Sequence, residues 1–133
     1  MNKRRAIGFV LGLILFLGAC TTARVSYAVM TTGLDEKGRN VDEVLTYRPD
    51  APKFIVVADI ANAPEETKIT FVWVYRVQNV EIDKVEVVLP GSRSVNSTLT
   101  RGNNPWPLGE YVVRIYIDQQ KEPADLVAFR VIE

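Results

Sequence analysis

The sequence predicts an all-β sandwich of about seven strands, forming a single domain after a cleaved N-terminal signal helix. Three observations lead to this fold class. Short runs rich in β-branched and aromatic residues recur along the chain, and turn residues separate them roughly every eight to twelve positions. No run beyond the N-terminal segment keeps a helical period. About 114 residues follow the signal, which is enough for one domain with a hydrophobic core.

The first element is predicted to be a signal peptide over residues 1–19. A basic start at residues 3–5 precedes an apolar run at residues 6–19, as in secretory signals. This run is shorter than the about 20 apolar residues that a transmembrane helix needs, so a permanent span is not expected. It ends in Leu-Gly-Ala-Cys at residues 17–20, and Cys20 is the only cysteine of the chain.

The ending at residues 17–20 resembles the lipobox of bacterial lipoproteins. The resemblance implies cleavage before Cys20, which would carry a diacylglyceryl group and an amide-linked acyl chain such as palmitate. Two or more chains give stable membrane attachment. Thr21 follows in place of Asp, which by the same resemblance implies the outer membrane, facing the periplasm. The alternative is an ordinary soluble signal peptide, with Cys20 left as a chance thiol.

The mature chain is then expected to divide into a short tether and one domain. Residues 20–24 would form the lipidated N-terminus and tether, which spans at most about 15–18 Å. Residues 25–133 would form the β-sandwich, held close to the bilayer.

The first strands are separated by a long polar segment. Residues 25–30 alternate weakly and predict the first strand. Residues 32–52 contain two glycines and two prolines and predict a loop, apart from a short edge strand at 44–47. Residues 54–60 form an apolar run typical of a buried strand, which the turn residues at 62–66 end.

The next three strands lie between residues 67 and 100. Residues 67–77 are the densest in β-branched and aromatic side chains, and residues 80–89 run up to the turn pair Pro90-Gly91. Residues 95–100 are short and polar, which predicts an edge strand. One face of the first of these strands is expected to be buried, with Ile69, Phe71, Trp73 and Tyr75.

Two strands close the predicted sandwich after a loop at residues 101–107. The strand at 110–118 and the strand at 126–132 alternate well and flank a turn at 118–123. Their inward side chains are expected to be Tyr111, Val113, Ile115 and Ile117 on the first strand and Val127, Phe129 and Val131 on the second.

Two aromatic residues resemble the marks of immunoglobulin-type sandwiches, which have a core Trp on strand C and a corner Tyr opening strand F. Trp73 and Tyr111 occupy these places. Val113 stands where antibody-type domains carry their second cysteine, so an apolar contact would replace the disulfide. Residues 106–118, followed by residues 129–131, resemble the closing hairpin of bacterial immunoglobulin-like and fibronectin-type-III-like domains. The resemblance implies a fold and no particular function.

Composition argues against several function classes. The chain has no histidine, so the commonest general base and the commonest metal ligand are missing, and with Cys20 lipidated it has no thiol nucleophile or zinc-thiolate site. The 16 basic residues become 13 when residues 3–5 leave with the signal, against 16 acidic ones, which disfavours nucleic-acid binding. We therefore expect no enzyme, no cofactor, no metal and no nucleic acid. The acidic pairs at residues 35–36, 42–43 and 65–66 are interpreted as solvated loop charge rather than calcium ligands.

Four residues in one loop are the candidates for binding: Arg101, Asn103, Asn104 and Trp106. An indole between two prolines and beside amide groups could stack on a sugar or anchor a protein. The alternative, which we prefer, is that Trp106 closes one end of the core. We expect a non-enzymatic accessory protein that binds or braces an envelope component through the edge at 95–100 or this loop. A glycan- or small-ligand-binding module centred on Trp106 is the second hypothesis, and the oligomeric state stays open.

Overall fold

The computed structural model describes residues 22–133, so the predicted signal peptide and Cys20 lie outside the described residues. This part of the chain folds into eight strands, and no helix occurs within it. The strands are β1 (Arg24–Thr31), β2 (Thr46–Tyr47), β3 (Lys53–Ala61), β4 (Thr67–Tyr75), β5 (Val80–Leu89), β6 (Arg93–Thr100), β7 (Gly109–Ile117) and β8 (Asp125–Val131).

Two sheets face each other. One has the strand order β1-β3-β6, and the other has the order β2-β8-β7-β4-β5. All neighbours are antiparallel except β2 and β8, which pair in parallel. The all-β sandwich predicted from the sequence is confirmed, and β6 lies at an edge, as the polar strand at 95–100 was expected to do.

One apolar core fills the space between the sheets. The predicted inward rows of β4, β7 and β8 all contribute to it, with Tyr75 and Val127 only partly buried. Trp73 is 1% exposed, and its Nε1 donates a hydrogen bond of 3.1 Å to Ser97 Oγ on β6. This bond crosses from one sheet to the other. The buried core residues are Ala23, Met30, Tyr47, Phe54, Val56, Ala58, Ile60, Ile69, Phe71, Trp73, Leu89, Val95, Tyr111, Val113, Ile115, Ile117, Phe129 and Val131.

Aromatic rings concentrate at one end of this core. Phe54 lies at their centre, with its ring centroid 4.8 Å from those of Tyr47 and Phe129. Tyr111 stacks on Phe129 at 5.1 Å, and its hydroxyl donates a hydrogen bond of 2.6 Å to the Pro107 carbonyl oxygen. This is the backbone bond expected of a corner tyrosine. The bond fixes the loop that enters β7.

Strand β4 ends two residues earlier than expected. The prediction ran to Val77, but the strand stops at Tyr75. Arg76 and Asn79 form a turn, in which the Asn79 N–H donates to the Arg76 carbonyl oxygen and Asn79 has φ 52°. Asparagine tolerates this left-handed conformation, so the turn forms without the glycine or proline that would have signalled it.

Residues 32–43 fold over the outer face of the three-stranded sheet. Ile55 and Val57, which point away from the core on β3, are each 1% exposed. A Cβ on Gly38 would lie 3.9 Å from Asn96 Nδ2 on the neighbouring strand, which places this segment above the sheet. Strand β3 is therefore buried on both faces over much of its length, as its apolar run indicated.

An acidic residue holds this segment in place. Asp42 Oδ1 accepts hydrogen bonds from Thr31 Oγ1 at 2.6 Å and from the Thr32 N–H at 2.8 Å. These bonds, from Thr31 first and then Thr32, hold the pKa of Asp42 below its usual value. The neighbouring Glu43 accepts a hydrogen bond from the Tyr27 hydroxyl, which raises the pKa of Tyr27. The pair at 42–43 was expected to be loosely solvated charge, and the structure shows that it ties the loop to β1.

Candidate binding surfaces

The indole of Trp106 packs on the aromatic end of the core. Its ring stacks on Phe54 with centroids 4.1 Å apart and an interplanar angle of 26°. Its Nε1 donates a hydrogen bond of 2.7 Å to the Ala51 carbonyl oxygen, and its backbone N–H donates to Pro49. One ring face and the only polar atom of the side chain are thus already engaged. This geometry favours the packing interpretation over a sugar-stacking platform.

Within residues 22–133, no hydrogen bond joins the other three candidates of the loop to Trp106, which bonds to Ala51 and Pro49. Asn103 and Asn104 are exposed, and no hydrogen bond of their side chains to another described residue occurs. Arg101 is half-buried, and its backbone N–H donates to the Pro52 carbonyl oxygen at 2.9 Å. Its Nε is buried and has no partner within residues 22–133. The loop therefore covers one end of the core and exposes the amide side chains of Asn103 and Asn104.

Three of the four sheet edges that residues 22–133 form carry features that discourage pairing with another strand. Strand β1 has a register shift between Val25 and Tyr27, and β2 is only two residues long. The register between β5 and its partner β4 shifts between Trp73 and Val74 of β4, and charged side chains occur along β5. Bulges, short edges and charges are the devices by which sheet proteins prevent edge-to-edge association.

Strand β6 lacks all of these devices. It pairs with β3 over eight residues, from Lys53 opposite Thr100 to Ile60 opposite Arg93, without a register shift. It contains no proline and only one charged residue, Arg93, at its first position. Within residues 22–133 no strand pairs with its other side. We call this side the β6 edge.

The N-terminal residues of the described chain are fixed to one end of the sandwich. Thr22 Oγ1 donates a hydrogen bond of 2.9 Å to the Asn62 carbonyl oxygen, and Ala23 is 8% exposed within the core. Residues 20–24 were expected to be a tether, but Thr22 and Ala23 already belong to the folded domain. Only Thr21 then separates Cys20 from a residue that the fold holds.

The end that holds Thr22 is built from three turns, and we call it the anchor end. The Ala63 N–H donates to Ser92 Oγ, which joins the turn at residues 62–66 to the turn at 90–92. The Lys68 N–H donates to Asp118 Oδ1, which adds the turn that begins after β7. The loop at residues 101–108 lies at the opposite end. A nine-residue strand such as β3 separates the two ends by about 30 Å.

The outer face of the five-stranded sheet carries a small apolar cluster and a shallow groove. Val72, Val74 and Val112 are buried there, with Tyr116 packed against them. From the sequence, buried side chains were expected only on the opposite face of these strands. The groove beside the cluster has a volume of about 400 Å³, and charged side chains of both signs line it. They include Lys68, Lys84 and Arg114 as well as Glu81, Glu86 and Asp118.

Metal and membrane-helix features do not occur in the part of the chain that the structure describes. Residues 22–133 contain no group of three or more metal-ligating side chains. They also contain no helix that is long and apolar enough to cross a membrane.

No protein-family model matches this chain, and no curated protein matches it in sequence. A similar solved structure is the crystal structure of an immunoglobulin-like protein from Pseudomonas aeruginosa. The two share 16% sequence identity and a TM-score of 0.56, over 83% of this chain and 96% of that chain. At this identity the likeness concerns the fold alone. The described residues therefore form an immunoglobulin-like β-sandwich.

Proposed function

We propose that this protein is a lipid-anchored accessory protein of the bacterial cell envelope, without catalytic activity, whose sandwich binds or braces another envelope protein. The anchor would be Cys20, because residues 17–20 match the lipobox pattern and follow a basic, apolar leader. The membrane would be the outer membrane, with the domain facing the periplasm.

The β6 edge is the observation that carries the binding part of this proposal. An unprotected edge of eight residues offers a row of backbone donors and acceptors to another chain. The other edges are short, bulged or charged, so β6 is the place where strand addition meets the least opposition.

The short connection to the anchor supports a bracing role. Since Thr22 is already bonded to Asn62, the lipid would hold the anchor end against the bilayer, and the sandwich would extend about 30 Å away from it. A domain held in this way reaches only partners that lie beside it in the same membrane or within one domain length.

The glycan-binding alternative depends on Trp106 as a stacking platform. Phe54 covers one face of the indole, and the bond to Ala51 occupies its Nε1. A sugar could therefore contact less of this indole than of a fully exposed ring. We therefore keep protein binding as the proposed function.

Cross-linking in cells tests the proposal. The full chain and a Cys20→Ala variant would be expressed at equal levels and treated with a short amine-reactive cross-linker. We expect one discrete cross-linked envelope protein for the natural chain and much less of it for Cys20→Ala, because the variant no longer concentrates at the membrane. Equal recovery from both would contradict the role of the anchor, and the absence of any discrete product would contradict the binding role.

A further inference from the structure

We propose that the β6 edge accepts an extended segment of another polypeptide, with apolar residues at alternate positions and small neutral residues between them. This inference rests on the proposed function in that it takes the binding partner to be a protein. It also specifies which backbone groups of β6 bind the partner and which types of side chain the partner segment carries.

The backbone pattern of β6 follows from one hydrogen bond. The Arg101 N–H donates to the Pro52 carbonyl oxygen. Pro52 and Arg101 therefore form a hydrogen-bonded pair, one position beyond the last pair of the β3–β6 ladder. In antiparallel pairs, hydrogen-bonded and non-hydrogen-bonded positions alternate. The odd positions of β6 therefore bond to β3, and the even positions direct their N–H and C=O groups away from it. These even positions are Ser94, Asn96, Thr98 and Thr100.

The side chains at the even positions of β6, which we call the outer row, favour small neutral residues on the incoming strand. The side chains at the four even positions point away from the core, since Val95 and Ser97 between them are 6% and 4% exposed and face it. None of the four carries a charge, so a charged residue directly opposite them would find no ion-pair partner on β6. Cross-strand pairs of Thr with Thr or Ser are among the favourable neutral pairs. An acidic residue would be matched only beside Arg93 at one end of β6 or beside Arg101 just beyond its other end.

The odd positions of β6, whose side chains lie on the core face and which we call the inner row, favour apolar side chains on the incoming strand. Leu99 of β6 and Val87 of β5 are only partly buried, although both pack against the core. They belong to the edge strands of the two sheets, so they line the side of the sandwich that is open between β5 and β6. Inward side chains of an added strand would continue the row of Leu99 and cover this opening, which removes apolar surface from water.

A second copy of this chain fits the β6 edge less well. Its own Val95 and Ser97 are already packed in its own core, so of this row only Leu99 could add apolar cover to the opening. A symmetric antiparallel register with Ser97 opposite Ser97 would also place Arg93 opposite Arg101, and like charges in that position are destabilising. A segment from a different polypeptide avoids both problems.

A synthetic strand tests this inference on the purified full chain. The probe is a fluorescent nine-residue peptide in which Thr and Val alternate, with Glu at one end. Its control has the same composition with the valines adjacent. Anisotropy would report binding, and amide hydrogen exchange would report where the peptide lies. We expect slower exchange at the even positions of β6 with the alternating peptide and little change at the odd positions, which β3 already protects.

Two variants of one residue make the test specific. Thr98→Pro removes an N–H that points away from β3, a change that an edge strand tolerates, whereas Thr98→Val keeps the N–H. We expect Thr98→Pro to weaken peptide binding by at least about tenfold, as for a loss of 1.4 kcal/mol or more. Thr98→Val should bind normally, and the unfolding temperatures of both should stay close to that of the natural chain.

The possible results separate this inference from the proposed function. Equal peptide binding by Thr98→Pro, or protection of amides outside β6, would overturn the inference. So would a concentration-dependent dimer that Thr98→Pro abolishes, because the occupant would then be a second copy. Peptide binding at β6 together with no cross-linked partner in cells would support the edge and overturn the envelope role. A cross-linked partner that persists with Thr98→Pro would support the envelope role and overturn the edge.

Discussion

Trp73 on β4 and Ser97 on β6 join the two sheets by a hydrogen bond of 3.1 Å from the indole Nε1 to the serine Oγ. Both side chains are buried, at 1% and 4% exposure, so water cannot replace either partner. Beside this bond, on the opposite face of β6, lie the side chains of the even positions. The pair therefore links the core to the strand that we propose as the binding edge.

We predict that Ser97→Ala lowers the free energy of unfolding by about 1–3 kcal/mol, because it leaves a buried indole N–H without a partner. Urea unfolding followed by Trp fluorescence would measure the change. The matched control is Thr98→Ala, one residue away on the outer face, which should stay within about 0.5 kcal/mol of the natural chain. An equal effect of the two substitutions would show that the bond to Trp73 does not stabilise the fold.

We predict that Trp106→Ala lowers the free energy of unfolding by about 2–3 kcal/mol, somewhat less than for a fully buried Trp. The loss comes from the stacking on Phe54 and from the bond to Ala51. Trp106→Phe, which keeps a ring over Phe54, should recover part of the stability. Titration of the natural chain with cell-wall sugar fragments should leave its Trp fluorescence unchanged. A saturable change that Trp106→Phe removes would instead support the glycan-binding alternative.

Two buried tyrosines predict the behaviour of the fold at high pH. Burial raises the pKa of Tyr47 and the pKa of Tyr111 to about 12, above the value near 10 of an exposed tyrosine. Because the folded-state pKa is the higher one, their contribution to stability is complete below pH 10 and is lost as the pH rises from about 10 to 12. Ultraviolet titration should show phenolate formation at these two residues only near pH 12. Their ionisation near pH 10 in the folded protein would contradict the packing at this end of the core.

The strands could be predicted from the sequence because burial and alternation coincide in this fold. Strands β4 and β7 show a clear alternation, and β3 is mostly apolar since residues 32–43 cover its second face. The end of β4 was misplaced because Asn79 forms its turn without glycine or proline. Local pattern carries no information on which distant residue will cover a face or complete a turn.

The candidate sites were predictable only in part. A short, polar run indicated that β6 is an edge strand, and the structure confirms it. The absence of bulges at that edge depends on register, which single-strand patterns do not contain. Likewise, the two prolines around Trp106 indicated a stiff loop, but only the fold shows that Phe54 lies beneath the ring. The hydrogen bonds that join Asp42 to Thr31 and Thr32 have no sequence signature beyond the presence of these residue types.

We predict a fixed orientation of the anchored domain on a membrane. With Thr22 bonded to Asn62, the anchor end should face the bilayer and the loop at residues 101–108 should point away from it. The lipidated protein would be reconstituted in vesicles with spin-labelled headgroups and carry a fluorophore at Glu65→Cys or Asn103→Cys. Both sites are exposed. Quenching should be strong at residue 65 and weak at residue 103. Equal quenching at the two sites would indicate that the domain rotates freely about its anchor.

Mass spectrometry of the native protein isolated from membranes would show whether Cys20 carries the lipid anchor. We predict that the mature N-terminal peptide begins at Cys20 and carries a diacylglyceryl thioether together with an amide-linked acyl chain. A peptide with an unmodified Cys20 sulfur, or one that still contains residues 1–19, would contradict a lipid-anchored envelope protein.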